Sequence, residues 1–119
     1  MKNGNVLQEK SFAFAVRIVK LYKYLCQQKK EFVLSKQLLR AGTSIGANVE
    51  EAIGGQSERD FFAKLTISYK EARETLYWLR LLKATDYLSE EESLSLLLEA
   101  EELLKIIGSI QKAIRSSRD

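Results

Sequence analysis

Two carboxylate pairs have the spacing that could do chemistry. Glu71-x-x-Glu74 and Glu99-x-x-Glu102 each place two acids one turn apart on a helix. Facing each other across a helical bundle, four such carboxylates could hold Mg²⁺, as in all-α metal-dependent nucleotide pyrophosphatases. Glu-x-x-Glu is common in helices, however, and no phosphate-binding motif stands beside either pair. The competing and preferred reading makes Glu71 and Glu74 partners of cations, with Arg40 and Arg17 as the candidates, in ion pairs between helices or subunits. The chain contains no histidine, which removes Ser-His-Asp and Cys-His catalysis, zinc–histidine sites and the Glu-x-x-His di-iron motif. Any catalysis would have to rest on carboxylates, Lys or Tyr; the reading adopted is a non-enzymatic protein, with no catalytic residue, metal ligand or cofactor expected.

The second constellation is basic. Lys10, Arg17, Lys20, Lys23, Lys29, Lys30, Lys36 and Arg40 lie in the first third of the chain. Residues 1–48 carry nine Lys/Arg against two Glu, residues 49–102 carry six against thirteen Asp/Glu, and residues 103–119 carry four against one. The net charge of +3 hides this polarity. It suits opposite-charge contacts between subunits, or a phosphate-contact surface for RNA or DNA. Lys112, Arg115 and Arg118 could add to such a surface, or complement a helix C-terminus. No recognition-helix or RNA-module signature supports base readout.

These residues must be positioned by helices. Leu, Ala, Glu and Lys dominate, proline is absent, and 45% of residues are hydrophobic, so the composition predicts an all-α fold. At 119 residues the chain fits one domain, 1–119. Four helices are expected. The first runs from about Val6 to Lys30. The second follows Ser35 as N-cap and ends near Gly54-Gly55. The third follows Ser57, with Asp60 at N3, and runs to about Thr85. The fourth opens on the capping box Ser89-Glu90-Glu91-Glu92 and runs to about Arg115, beyond which the end is expected to fray, with Gly108 inside it as a cost or a close contact. Short connections make consecutive helices antiparallel, giving an up-down-up-down four-helix bundle. No apolar run reaches the ~20 residues of a membrane span, the N-terminus lacks a signal-peptide core, and Cys26 is single. A cytoplasmic protein with no membrane partner is expected, with Cys26 serving as a small buried hydrophobe.

The third helix has two stripes. Phe61, Leu65, Tyr69, Ala72, Leu76 and Leu79 form the expected core stripe. Ile67, Glu71, Glu74, Trp78 and Leu81 form a second on the far side, which reads as a subunit interface with Trp78 as its anchor. Trp78, and Tyr77 beside it, could alternatively stack on a base. The first helix repeats the pattern: Phe12, Phe14, Ala15, Val16, Ile18, Val19, Leu21, Tyr22, Leu25 and Cys26 cover about 220° of its circumference, where a single core needs roughly 100°. The second helix carries small residues, Ala41, Gly42 and Gly46, for close helix approach. Asn48 at the edge of this face is expected to hydrogen-bond a neighbouring backbone.

Two segments carry a family resemblance. Leu39-Arg40-Ala41-Gly42-Thr43-Ser44-Ile45-Gly46-Ala47-Asn48-Val49-Glu50-Glu51-Ala52 and Lys70-Glu71-Ala72-Arg73-Glu74-Thr75-Leu76-Tyr77-Trp78-Leu79-Arg80-Leu81-Leu82 resemble the signatures of the four-helix-bundle proteins encoded within 23S rRNA intervening sequences. The resemblance covers about residues 8 to 115. It implies a bundle assembling into a ring-like homopentamer. It also implies kinship with the accessory protein of diversity-generating retroelements, a pentamer whose basic surface binds nucleic acid and a reverse transcriptase. No enzymatic activity is established for that family, and its name records gene location. The family often has glycine where Ala52 stands. The expected function is thus a homo-oligomeric, pentameric scaffold binding nucleic acid, or a nucleic-acid-bound protein, through its basic face. The alternative is a pure protein–protein scaffold whose charge asymmetry is consumed between subunits.

Overall fold

Leucine- and alanine-rich segments without proline fold as four helices in the computed structural model, which describes residues 2–118, with side chains from residue 5 onward. They are α1 (Lys2–Gln27), α2 (Leu34–Ile53), α3 (Glu58–Ala84) and α4 (Glu90–Arg118). Each helix packs on its sequence neighbours, and α1 closes more loosely on α4. The result is an antiparallel up-down-up-down bundle of 49 × 22 × 20 Å. α1 and α3 are diagonal across it, so the flank formed by α1 and α2 lies opposite that formed by α3 and α4.

The core register of α3 is Leu65, Ser68, Ala72, Thr75, Leu79 and Leu82, all buried. This corrects the expected stripe: Phe61, Tyr69 and Leu76 are only half-buried, and two hydroxyl residues take core positions. Those hydroxyls are buried without penalty because each has an acceptor. Ser68 donates across to the Ile45 carbonyl of α2 at 2.9 Å, and Thr75 donates to Glu71 O at 2.7 Å. The buried face of α2 likewise mixes Leu38, Ile45 and Val49 with the small Ala41, Gly42 and Gly46. A Cβ on Gly42 would sit 2.8 Å from two carbons of the fully buried Ile18, and one on Gly46 would sit 3.3 Å from the Ser11 carbonyl oxygen. The expected close approach of α1 and α2 is therefore built on these two glycines.

Helix ends follow the predicted boxes with one exception. Ser57 accepts from Asp60 N–H at 3.1 Å. Ser89 and Glu92 exchange bonds, 2.8 Å from Ser89 N–H to Glu92 and 3.0 Å from Glu92 N–H to Ser89 Oγ. Ser35 is not the cap of α2. It lies buried inside the first turn, and the residue at the cap position, Val33, offers no side-chain acceptor. The Glu31 carboxylate serves instead, accepting from Val33, Leu34 and Ser35 N–H at 3.1, 3.0 and 2.7 Å. Three orphan donors of the helix start are thus satisfied by one side chain from outside the helix. α1 stops at Gln27, short of Lys30, because Lys30 turns into the left-handed region at φ 55° while Glu31 N–H bonds back to Leu25 O at 3.0 Å. α4 continues past Arg115 to Arg118, where the guanidinium groups of Arg115 and Arg118 lie over the Phe62 ring and Arg118 reaches Glu58 at 3.4 Å. Asp119 of the expected frayed end lies outside the described residues. Gly108 is a helix-interior glycine with open space where a Cβ would stand, so within the chain it is no close-contact point. Ala52, the departure from the family pattern, buries its methyl in the core, and α2 ends one residue later.

Candidate functional site

Arg40, Glu71, Glu74 and Trp78 form one polar cluster on the flank between α2 and α3. Arg40, on the outer face of α2, reaches Glu71 at 3.1 Å and also pairs with Glu74. Glu74 in turn accepts the Trp78 indole N–H at 2.9 Å. Trp78 meets the edge of Tyr77 with ring centroids 5.0 Å apart. The ion pairs expected of Glu71 and Glu74 thus form within one chain, with Arg40 as the shared cation. Arg17 is not their partner: it faces α4, pairing with Glu99 and donating to Ser95 Oγ at 2.8 Å. Ile67 at the start of the stripe is exposed, while Trp78 and Leu81 are half-buried. Asn48 donates to the Ser44 carbonyl at 2.8 Å, one turn back in its own helix, so the amide is satisfied as expected but without bridging to a neighbour.

The two carboxylate pairs do not converge. Glu71 and Glu74 point to α2, whereas Glu99 and Glu102 are held by Arg17 and Lys10 of α1. Among the described residues, no three acidic or cysteine side chains come close enough to hold a metal ion. Within one chain, the four carboxylates therefore do not form the Mg²⁺ site considered above.

The same pairs sort the basic set. Lys10 is 2.9 Å from Glu102, and Lys10, Arg17 and Arg40 all spend their charge within the chain. Part of the charge polarity is thus used inside the chain: Lys10 and Arg17 of the basic α1 lie against glutamates of the acidic α4, and Arg40 of α2 lies against Glu71 and Glu74 of α3. Lys20, Lys23, Lys30 and Lys36 are in no ion pair among the described residues, and Lys29 lies over the Tyr24 ring at 6.0 Å. All five sit toward the end of α1, in the connection after it and in the first turn of α2. Tyr24 also donates to Glu92 at 2.9 Å. The Ser89 N–H, that hydroxyl and the nearby Lys29 hold the Glu92 carboxyl below its usual pKa.

Apolar side chains stand exposed on two opposite flanks. On α1, Phe12 is 68% exposed and Val16 is 40% exposed, beside a groove with Ala15, Thr43 and Ala47. On α3 and α4, Tyr77, Leu94 and Leu98 are exposed by more than half, next to a groove of about 420 Å³ between Tyr77, Arg80, Leu81 and Leu97. A third exposed pair, Phe32 and Val33, crowns the α1–α2 connection. The excess apolar arc of α1 marked Phe12 and Val16 in advance. Leu94 and Leu98, one turn apart, carry no such mark in the sequence, because an i, i+4 leucine pair reads equally well as core. Cys26 is half-buried, 3.8 Å from Ser35 Oγ. No helix among the described residues is long and apolar enough to cross a membrane.

With this geometry in view, the comparisons with known proteins agree. A family model described as 23S rRNA-intervening sequence protein matches residues 4–109. Among solved structures, the chain is similar to a protein of unknown function from the S23 ribosomal protein family of Bacteroides thetaiotaomicron VPI-5482. The two are 53% identical with a TM-score of 0.91, over 92% of this chain and 98% of that one. No curated protein matches the chain.

Proposed function

This chain belongs to the family of 23S rRNA-intervening sequence proteins, and on that premise we propose that it is a homo-oligomeric scaffold, not an enzyme, whose assembled ring binds nucleic acid. The observation that carries assembly is the exposure of large apolar side chains on opposite flanks, Phe12 and Val16 on one and Tyr77, Leu94 and Leu98 on the other. A single patch would favour a two-fold dimer. Two different patches on opposite sides favour a head-to-tail contact, which closes into a ring when the rotation permits. The stoichiometry of five follows from the family resemblance. The stripe Ile67, Glu71, Glu74, Trp78 and Leu81 lies on the side of α3 toward α2 and meets the second patch where Trp78 touches Tyr77.

Nucleic-acid contact falls to a smaller basic set than the sequence suggested: Lys20, Lys23, Lys29, Lys30 and Lys36. Five copies in a ring would multiply a weak, sequence-independent phosphate contact. The alternative, a protein–protein scaffold without nucleic acid, draws support from the intrachain pairing of Lys10, Arg17 and Arg40. Light-scattering mass at low and high salt, followed by RNA binding across a salt series, tests both. The proposal expects a salt-resistant mass near five chains and RNA affinity that falls steeply with salt. A monomer overturns assembly. An assembled protein that binds no RNA or DNA at low salt leaves the protein–protein scaffold.

A further inference from the structure

The α1–α2 connection exposes two large apolar side chains, yet it is not a loose loop. Glu31 is only 8% exposed and anchors it, its carboxylate taking three backbone N–H groups while its own carbonyl accepts the Ser35 hydroxyl at 2.8 Å. On this anchored turn Phe32 is 57% and Val33 72% exposed. Nothing in the bundle covers them. A turn anchored in this way presents the phenyl ring outward with no loop left to order on binding, which favours a stacking partner.

The charge around the tip selects that partner. Lys29 and Lys30 precede Phe32, and Lys36 follows in the first turn of α2. Lys23 and Lys20 lie about one and two turns back along α1, roughly 6 and 10 Å from its end. The carboxylates at the same end of the bundle are engaged or set on the other loop. Glu90 pairs with Lys83, Glu92 is held by Ser89 and Tyr24, and Asp86 and Glu91 belong to the α3–α4 turn and the start of α4. An anionic occupant with flat apolar faces matches this tip. A lipid surface matches less well, because Lys20 and Lys23 are withdrawn along the helix and not ringed at the level of the apolar pair. Duplexes offer no free base face at their sides.

We infer that the α1–α2 tip is a single-strand binding site, in which Phe32 stacks on an unpaired base while Lys29, Lys30 and Lys36 contact the flanking phosphates. Lys23 and Lys20 continue the phosphate track along α1. This site rests on the nucleic-acid reading above and narrows it to unpaired strands.

The test uses the full-length protein in its purified assembly and fluorescence anisotropy of labelled single-stranded oligo-uridine and oligo-adenosine, against an RNA duplex of equal length. The wild type is expected to prefer the single strands. Phe32→Ala should weaken single-strand binding about 5- to 100-fold while leaving mass and duplex binding unchanged. Phe32→Trp should retain affinity, and its added indole emission should be quenched by the oligonucleotide. Lys30→Gln with Lys36→Gln should weaken binding to both forms and flatten the salt dependence. If Phe32→Ala binds like wild type while the double lysine variant does not, the stacking site is wrong and the broader nucleic-acid reading stands. If the wild type binds no nucleic acid, both fall. A drop in mass on Phe32→Ala makes the tip a subunit contact and overturns the site. Sedimentation with phosphatidylserine vesicles, in place of RNA binding, would overturn it in favour of a membrane surface.

Discussion

Glu31 shows how much one side chain can determine. Its burial disfavours the charged form, yet the N–H groups of Ser35, Leu34 and Val33 outweigh that and lower its pKa below the usual carboxylate value. Its folded pKa therefore lies under the unfolded one. The stabilisation is present in full above the unfolded value of about 4.3 and is lost as pH falls through the lower folded value. Glu31→Ala should cost about 1–2 kcal/mol near neutral pH, seen as a lower urea midpoint at unchanged slope. The gap between variant and wild type should narrow as the medium is acidified below about pH 4. A gap that stays constant through that range would mean that the carboxylate charge is not what caps α2.

At the scale of the element, packing distance decides more than propensity. Glycine in a helix interior costs up to about 1 kcal/mol relative to alanine, and α2 carries two on its buried face. Gly42 holds its place because a methyl there would meet the branched carbons of Ile18, which lie next to the backbone and cannot swing away. Gly42→Ala should destabilise by about 1–3 kcal/mol despite its better helix propensity. Ile18→Ala makes room for that methyl, so the two changes together should cost less than the sum of each alone. Strict additivity in a double-mutant cycle from urea melts would show that α1 and α2 do not approach as closely as drawn. Hydropathy alone does not mark Ser68 and Thr75 as core positions of α3, because a hydroxyl bonded to a helix carbonyl packs as a small core residue.

At the scale of the molecule, the ion pairs are mostly exposed, and each contributes little stability on its own. Their arrangement matters more, because it joins α1 to the glutamates of α4 and Arg40 of α2 to those of α3, while the lysines around the α1–α2 connection stay outside it. The proposed assembly rests on the apolar flanks. Trp78, held by Glu74 and edge-on to Tyr77, is oriented before any partner arrives. Trp78→Ala is expected to lower the light-scattering mass at micromolar protein while far-UV circular dichroism stays that of a helical bundle. Full mass in the variant would remove Trp78 and its stripe from the subunit contact.

Helix number, direction and most boundaries were legible in the sequence. They follow from local physics: apolar residues at helical spacing, the boxes at Ser57 and Ser89, and the Gly54-Gly55 break are all read within a few residues. The family was legible too, since its signatures lie in contiguous segments of α2 and α3. Which cation meets which anion was not, because that depends on how α1 sits against α4 and α2 against α3. Arg17 and Arg40 look alike in sequence, yet the bundle sends one to Glu99 and the other to Glu71 and Glu74. Tertiary structure also decided that Glu31, and not Ser35, caps α2. The capping acceptor comes from outside the helix, and only the fold of the preceding turn brings it there.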